Sequence, residues 1–150
     1  VMVGDGELRR LVARTAAECG IADRLMLTGM RDDVPEILPA FDALLLTSRW
    51  EGLPLVIPEA MASGVPVVAS AVDGNLEIVR DGHNGLLAPP SQPAMLAAAV
   101  LRLRDHDLAT RLVAAGYETA REFSREHTVP QLEQLYAECI SETPGARPLR

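Results

Sequence analysis

The 150-residue sequence predicts an α/β fold, a doubly wound parallel sheet with C-terminal helices. Three observations point there. Apolar runs of strand length alternate with segments of helical periodicity along most of the chain. The connections between them are short and rich in Gly, Pro and Asp. Two runs, Ala43–Thr47 and Val65–Ala69, are continuously apolar, the pattern of strands covered on both faces and hence of a parallel sheet.

The elements follow in order. Val1–Val3 reads as a strand and Gly4-Asp5-Gly6 as the turn after it. Leu8, Leu11, Val12, Thr15 and Cys19 fall at helical spacing, and Gly20 is placed to stop that helix. Leu25–Thr28 reads as a strand closed by Gly29, and Asp32 or Asp33 is placed to cap a short helix around Val34–Leu38. Ala43–Thr47 is the third strand, expected to be buried. A loop from Ser48 to Ile57 leads to a helix that starts at Pro58, runs over Glu59–Ser63 and ends at Gly64. Val65–Ala69 is the next strand, Gly74–Arg80 a helical turn or two, Asp81–Gly85 a turn and Leu86-Leu87 a short strand. Ser91 is expected to cap a helix through Leu96, Val100 and Leu103, and Asp105 or Asp107 one through Leu108, Leu112 and Ala115. Ser124 caps the last, with Val129, Leu132, Tyr136, Cys139 and Ile140 on one face and Pro130 expected to kink or restart it. The tail, 143–150, reads as frayed.

Composition removes several functions. Twenty-one acidic residues oppose 14 basic ones, a net charge of −7, and every basic residue is Arg. With no basic run, neither nucleic acid nor an anionic lipid surface is an expected partner. Cys19 and Cys139 are too few for a disulfide framework or a zinc site, and their helical spacing predicts reduced core residues. The longest charge-free stretch, Gly82–Leu101, contains three prolines and several polar residues, unlike a membrane span of about 20 apolar residues. A cytoplasmic location is the expectation. The chain opens in the tail of a strand with no start methionine and so reads as cut from something longer.

In a doubly wound sheet ligands bind beyond the carboxyl ends of the strands. Gly4–Gly6, Gly29–Arg31, Ser48–Leu55 and Ala71–Asn75 occupy those ends. Gly4-x-Gly6 lets backbone approach a phosphate, but the third glycine of a dinucleotide fingerprint is Arg9 here; a plain tight turn accounts for it equally well. Ser48 to Val68 is more specific. Glu51 lies in the loop after a buried strand, where a carboxylate can accept paired hydrogen bonds from vicinal hydroxyls. Gly52 removes a side chain, so the N–H groups of Gly52, Leu53 and Leu55 can face a ligand, while Pro54 has none. Glu59 opens a helix, where the macrodipole alone favours a carboxylate. The Glu-x7-Glu spacing by itself carries little, since Glu118 and Glu126 repeat it. His83, His106, His127 and Glu77 have ordinary turn or helix-end explanations, and Trp50, the only tryptophan, fits either packing or sugar contact.

The whole string from Ser48 to Val68, with a strand before it and a helix and strand after, resembles the donor-binding signature of retaining glycosyltransferases of the two-domain GT-B fold, group 1 or family 4 type. Val3–Gly6, Leu27–Arg31, Ala69–Gly85, Phe123-Ser124 and Tyr136 extend the likeness along most of the chain. The resemblance implies a Rossmann-like C-terminal, nucleotide-sugar-binding domain over residues 1–142, lacking its first strand and helix, with the N-terminal acceptor domain absent. It implies that Glu51, the catalytic candidate, binds donor-sugar hydroxyls near the reacting carbon and that Glu59 binds the ribose. Leu53 and Leu55 would face sugar and diphosphate through N–H groups, with Gly4 and Gly6 at the glycine turn. Met30 and Arg31 would frame the base, and Ser48 and Arg49 would line the pocket wall. The resemblance further implies a UDP- or GDP-sugar donor, no metal or other cofactor, and a departing diphosphate that would help deprotonate the acceptor. The basic pair that grips the diphosphate lies ahead of the glycine turn, outside this chain, and Asp73 and Leu76 stand where glycine and proline are usual.

Three functions are carried forward. The first is half of a transferase, inactive or nearly so alone. The second is a non-catalytic nucleotide-sugar-binding module or half-enzyme needing a partner chain. The third is a sugar-nucleotide epimerase-like domain, for which no acid–base residues are identifiable.

Overall fold

A computed structural model describes residues 1–142; the tail expected to fray, 143–150, lies outside the described residues. The chain forms two compact units, residues 1–37 and the remainder from 38 onward, and each contains its own parallel sheet. The α/β class and the parallel strands match expectation, although the strands are divided between two sheets.

The first unit contains β1 (Met2–Val3), α1 (Arg9–Glu18), a 3-10 turn at Ala22–Arg24, β2 (Leu27–Gly29) and α2 (Val34–Ile37). Met2 pairs with Leu27 and Val3 with Gly29, and the Gly4 N–H donates to the Gly29 carbonyl at 2.8 Å. Gly20 stops α1 as its sequence position predicts. It takes φ +68°, its N–H donates to the Ala17 carbonyl and the Ile21 N–H to the Ala16 carbonyl, the two bonds of a Schellman close. The apolar face read on α1 is mostly exposed: only Ala16 is buried, Leu8 and Leu11 are exposed, and so is Cys19. The core role expected for Cys19 is therefore wrong. Asp33 stands before α2, but its carboxylate is occupied by Arg31, whose Nε donates to Oδ1 at 2.7 Å.

The second unit contains a 3-10 turn at Leu38–Ala40, β3 (Leu44–Leu46), α3 (Val56–Ala62), β4 (Val67–Ser70), α4 (Asp73–Leu76) and β5 (Leu86–Ala88). Helices α5 (Pro93–Arg102), α6 (His106–Glu122) and α7 (Arg125–Glu142) follow. The strand order is β3-β4-β5, all parallel, with Leu46 opposite Ala69 and Ser70 opposite Ala88. Central β4 is buried at every residue. Val68, Leu86 and Ala88 pack with Leu96 and Ala99 of α5 and with Leu108 and Leu112 of α6. Gly116 lets α6 sit close on α3, since a Cβ there would meet Met61 Cγ at 3.2 Å. Gly64 closes α3 with φ +74° and the same pair of bonds as Gly20, from Gly64 to Met61 and from Val65 to Ala60.

Several expectations in this unit are corrected. Strand β3 is an edge strand of its sheet, and Leu45 is 48% exposed, so Ala43–Leu46 is not the doubly covered strand its composition suggested. Helix α3 starts at Val56, which makes Pro58 its third residue; a first-turn residue needs no intrahelical donor, so the proline is tolerated there. Ser91 does not cap α5: it takes φ +60°, Gln92 holds the cap position, and Pro93 opens the helix. Helix α7 runs through Pro130 without a restart. The caps at Asp105, which accepts from the N–H groups of Asp107 and Leu108, and at Ser124, which accepts from His127, are as expected. On α7 the stripe Val129, Leu132, Tyr136 and Ile140 is exposed, and Cys139 with it, so its predicted core role also fails.

Two measurements check this account. Leu112→Ala should lower stability in urea melts by about 2–5 kcal/mol through loss of buried volume, whereas Leu45→Thr on the exposed side of β3 should stay within about 0.5 kcal/mol of the parent. The Asp33 carboxyl is held below its ordinary range, first by the hydrogen bond from Arg31. A lowered folded value means that the pair's contribution is present at neutral pH and lost as pH falls through that value. Arg31→Ala should raise the Asp33 midpoint in a carboxyl NMR titration.

Candidate functional site

The carboxyl end of β3 passes into the loop that carries Ser48, Arg49, Trp50, Glu51, Gly52, Leu53 and Leu55 before α3 begins. This loop is held from below by β4. Because Leu46 lies opposite Ala69, Ser70 falls one step beyond the ladder, beside the exit of β3. Ser70 is fully buried, and its hydroxyl donates to the Ser48 carbonyl at 2.5 Å and reaches the Leu46 carbonyl at 3.5 Å. Asn75, also fully buried, donates from Nδ2 to the Ser70 carbonyl at 2.7 Å and approaches Ser70 Oγ at 3.5 Å. Above them the Ser48 hydroxyl donates to Glu51 Oε1 at 2.5 Å.

The loop also rests on α4. A Cβ at Gly74 would lie 2.1 Å from the Gly52 carbonyl oxygen and 2.7 Å from that of Glu51, so the backbone of these two residues sits directly on the Gly74 Cα. Beside this contact lies an open hollow of about 220 Å³ lined by Arg49, Trp50, Glu51, Ala71, Val72 and Asp73. Trp50 is 83% exposed at its wall, which removes it from the core and leaves its ring face open.

Glu51 is half-buried and keeps Oε2 free of any hydrogen bond within the described residues; Glu59, in the first turn of α3, is exposed. The N–H groups of Gly52, Leu53 and Leu55 make no hydrogen bond within the described residues, and the Leu53 and Leu55 side chains are exposed. The segment thus presents two carboxylate acceptors and three backbone donors, a set suited to a ligand bearing both hydroxyls and anionic oxygens.

The remaining candidates belong to the first unit. Gly4, with φ +117°, and Gly6 line a hollow of about 210 Å³ with Asp5, Leu8, Arg9 and Val12. Their N–H groups are already engaged, Gly4 with the Gly29 carbonyl and Gly6 with Asp5 Oδ1 at 2.8 Å. The positive φ of Gly4 is therefore explained by the turn itself. Met30 is exposed at the end of β2, and Arg31 is turned onto Asp33. Among the described residues no group of three or more His, Cys, Asp or Glu side chains is gathered as a metal site would require, and no helix is long and apolar enough to cross a membrane.

Sequence reasoning gave Ser70 no role of its own, and it included Gly74 and Asn75 in the Ala71–Asn75 strand end without assigning them one. The available signal for Ser70 was a polar residue directly after the apolar run Val65–Ala69, at the strand end where ligand loops gather.

Comparisons with known proteins agree with the fold and identify a family. Residues 1–106 match the family described as glycosyl transferases, group 1. The lipopolysaccharide core biosynthesis glycosyltransferase LpsE of Rhizobium meliloti is 36% identical over 138 residues, 91% of this chain and 41% of that protein. The structure of sucrose-phosphate synthase from Thermosynechococcus elongatus superposes with a TM-score of 0.85 at 32% identity, over 94% of this chain and 38% of the other. Anabaena Alr3699/HepE in complex with UDP-glucose superposes with a TM-score of 0.78 at 28% identity, over 94% and 40%. The chain thus spans about two fifths of the length of these relatives. On the strength of the match over residues 1–106 and of LpsE, the chain belongs to the group 1 glycosyltransferases.

Proposed function

We propose that the chain is the nucleotide-sugar-binding half of a retaining glycosyltransferase of hexosyltransferase type. The observation that carries this reading is the β3–α3 segment, where the Glu51 and Glu59 carboxylates accompany three unengaged N–H groups. Glu51 accepts hydrogen bonds from donor-sugar hydroxyls close to the reacting carbon, and Glu59 takes the ribose diol. The N–H groups of Gly52, Leu53 and Leu55 meet the sugar and diphosphate oxygens. Ser48 and Arg49 line the wall. In the first unit, Met30 and Arg31 are assigned to framing the base, mainly through backbone, and Gly4 and Gly6 to the glycine turn. The relative solved with UDP-glucose supports this choice of ligand class.

In the transfer itself the bond from the anomeric carbon to the phosphate oxygen breaks and a bond to the acceptor oxygen forms on the same face. The acceptor proton passes to the departing diphosphate. The chain's own residues hold the sugar and the leaving group in place, and such hydrogen bonds accelerate the reaction where they tighten as charge builds on the diphosphate. No resident metal is assigned a part.

The acceptor site and the cations for the diphosphate are assigned to the rest of a larger protein, or to a partner chain. The share of its relatives that the chain spans favours this half-enzyme reading, in which the isolated chain binds donor without turnover. The open edge of β3 is where we expect further chain to add as a strand, completing a sheet whose first strand and helix come from elsewhere. A cytoplasmic location belongs to the same reading, in keeping with a chain that has only two cysteines.

Calorimetric titration with UDP- and GDP-hexoses and with the free diphosphates tests the reading. Glu59→Ala should weaken sugar-linked and free nucleotide alike by about tenfold or more, the worth of one charge-assisted hydrogen bond. Glu51→Ala should weaken only the nucleotide-sugar. Binding of neither nucleotide series would reject the assignment, and turnover by the chain alone would reject the half-enzyme part of it.

A further inference from the structure

Glu51 is offered by a loop that has no strand or helix of its own, so something must hold it. Two buried features meet beneath it. One is a pair of hydrogen bonds, from the Ser70 hydroxyl to the Ser48 carbonyl and from the Ser48 hydroxyl to Glu51 Oε1, with Asn75 Nδ2 holding the Ser70 carbonyl beneath them. Ser70 and Ser48 each turn their hydroxyl donor toward the loop. The other is the bare Cα of Gly74, against which the Glu51 and Gly52 carbonyls rest. Gly74 takes no left-handed φ, so its lack of a side chain is a matter of room and not of backbone conformation. Neither Ser70 nor Gly74 has exposed surface to give to a ligand.

We infer that Ser70 and Gly74 are positioning residues for the Glu51 carboxylate and thereby set how strongly the sugar part of a donor is held, while taking no part in nucleotide binding. This rests on the reading of Glu51 as the sugar-binding carboxylate. The Ser48 hydroxyl leaves Oε2 as the oxygen open to a sugar hydroxyl. Losing the Ser70 bond frees the Ser48 backbone, and a methyl group at Gly74 displaces the Glu51–Gly52 peptide, because the obstructing atoms are backbone and cannot rotate aside.

The test compares the affinity of a UDP- or GDP-hexose with that of the corresponding free diphosphate, by calorimetry on the full chain. The variants are Ser70→Ala, Gly74→Ala, Glu51→Ala and Gly85→Ala. Gly85 is a control for instability: a Cβ there would meet Val79 Cγ1 at 2.8 Å and the Val67 carbonyl at 3.1 Å, remote in sequence from the loop. All are measured at a temperature where thermal melts show each to be folded. Ser70→Ala and Gly74→Ala should both lose the sugar-dependent gain, about tenfold, as Glu51→Ala does, with free diphosphate affinity unchanged; Gly85→Ala should keep the gain despite a lower melting temperature. Should Gly74→Ala not fold, Ser70→Ala decides the matter. Retention of the gain in Ser70→Ala and Gly74→Ala, with its loss in Glu51→Ala, would overturn the positioning role and leave the sugar-binding reading standing. No effect of Glu51→Ala, or no donor binding at all, would remove that reading and the positioning role with it.

Discussion

The start of the loop after β3 depends on one buried hydroxyl. Strand β4 has a strand on each edge and is buried at every position, so its polar last residue, Ser70, cannot reach water. An unsatisfied buried hydroxyl costs on the order of 1–3 kcal/mol, which the fold avoids by turning the carbonyls of Leu46 and Ser48 toward it. The register of β3 on β4 makes this possible, because the ladder ends at Leu46–Ala69 and leaves Ser70 beside the departing chain. The core that fixes β4 therefore also fixes where the loop after β3 begins.

Charge sharpens the reading of the site. A chain of net charge −7 is a poor general attractor for anionic ligands, and in the first unit its arginines are partly engaged at home. Arg9 donates to the Leu27 carbonyl and lies 3.7 Å from Asp5, and Arg31 is taken by Asp33. What the β3–α3 segment offers is backbone donors beside carboxylates. Under the proposed function that set discriminates hydroxyl-rich from hydroxyl-poor ligands more than it gathers negative charge, and the attraction for the diphosphate is left to cations outside the described residues.

Most elements were legible because their signals are local. Gly20 and Gly64 stop helices by adopting a conformation that glycine alone adopts cheaply, and each does so with both bonds of a Schellman close. Asp105 reads as a cap and is one. Ser91 reads equally well as a cap, but Pro93 two residues later fixes the first turn and moves the cap position to Gln92. Strand β3 shows a different limit. Its leucines are as apolar as the residues of β4, but an apolar run records that a strand can be covered, and not whether a neighbour lies on each side. Of the site, Glu51, Gly52 and Glu59 stood out as types of residue at a strand end. Their supports did not, because the Gly74–Gly52 and Ser70–Ser48 contacts join residues 22 apart, which no local pattern encodes.

Two glycines on either side of one contact divide the demands of folding from those of binding. Gly74 is required by the fold, since the carbonyls of residues 51 and 52 occupy the place of its missing Cβ. Gly52 is under no such demand. A Cβ there would meet nothing within 4 Å, and its φ is not in the left-handed region. No internal contact or backbone conformation thus calls for glycine at 52, whereas backbone conformation calls for it at 64, where φ is +74°. The bareness of Gly52 then leaves space on the loop just ahead of Leu53 and Leu55, whose N–H groups are unengaged. A surface kept open beside unused donors suits a close-approaching ligand, which supports the sugar and diphosphate contacts that the proposed function gives to residues the fold leaves free.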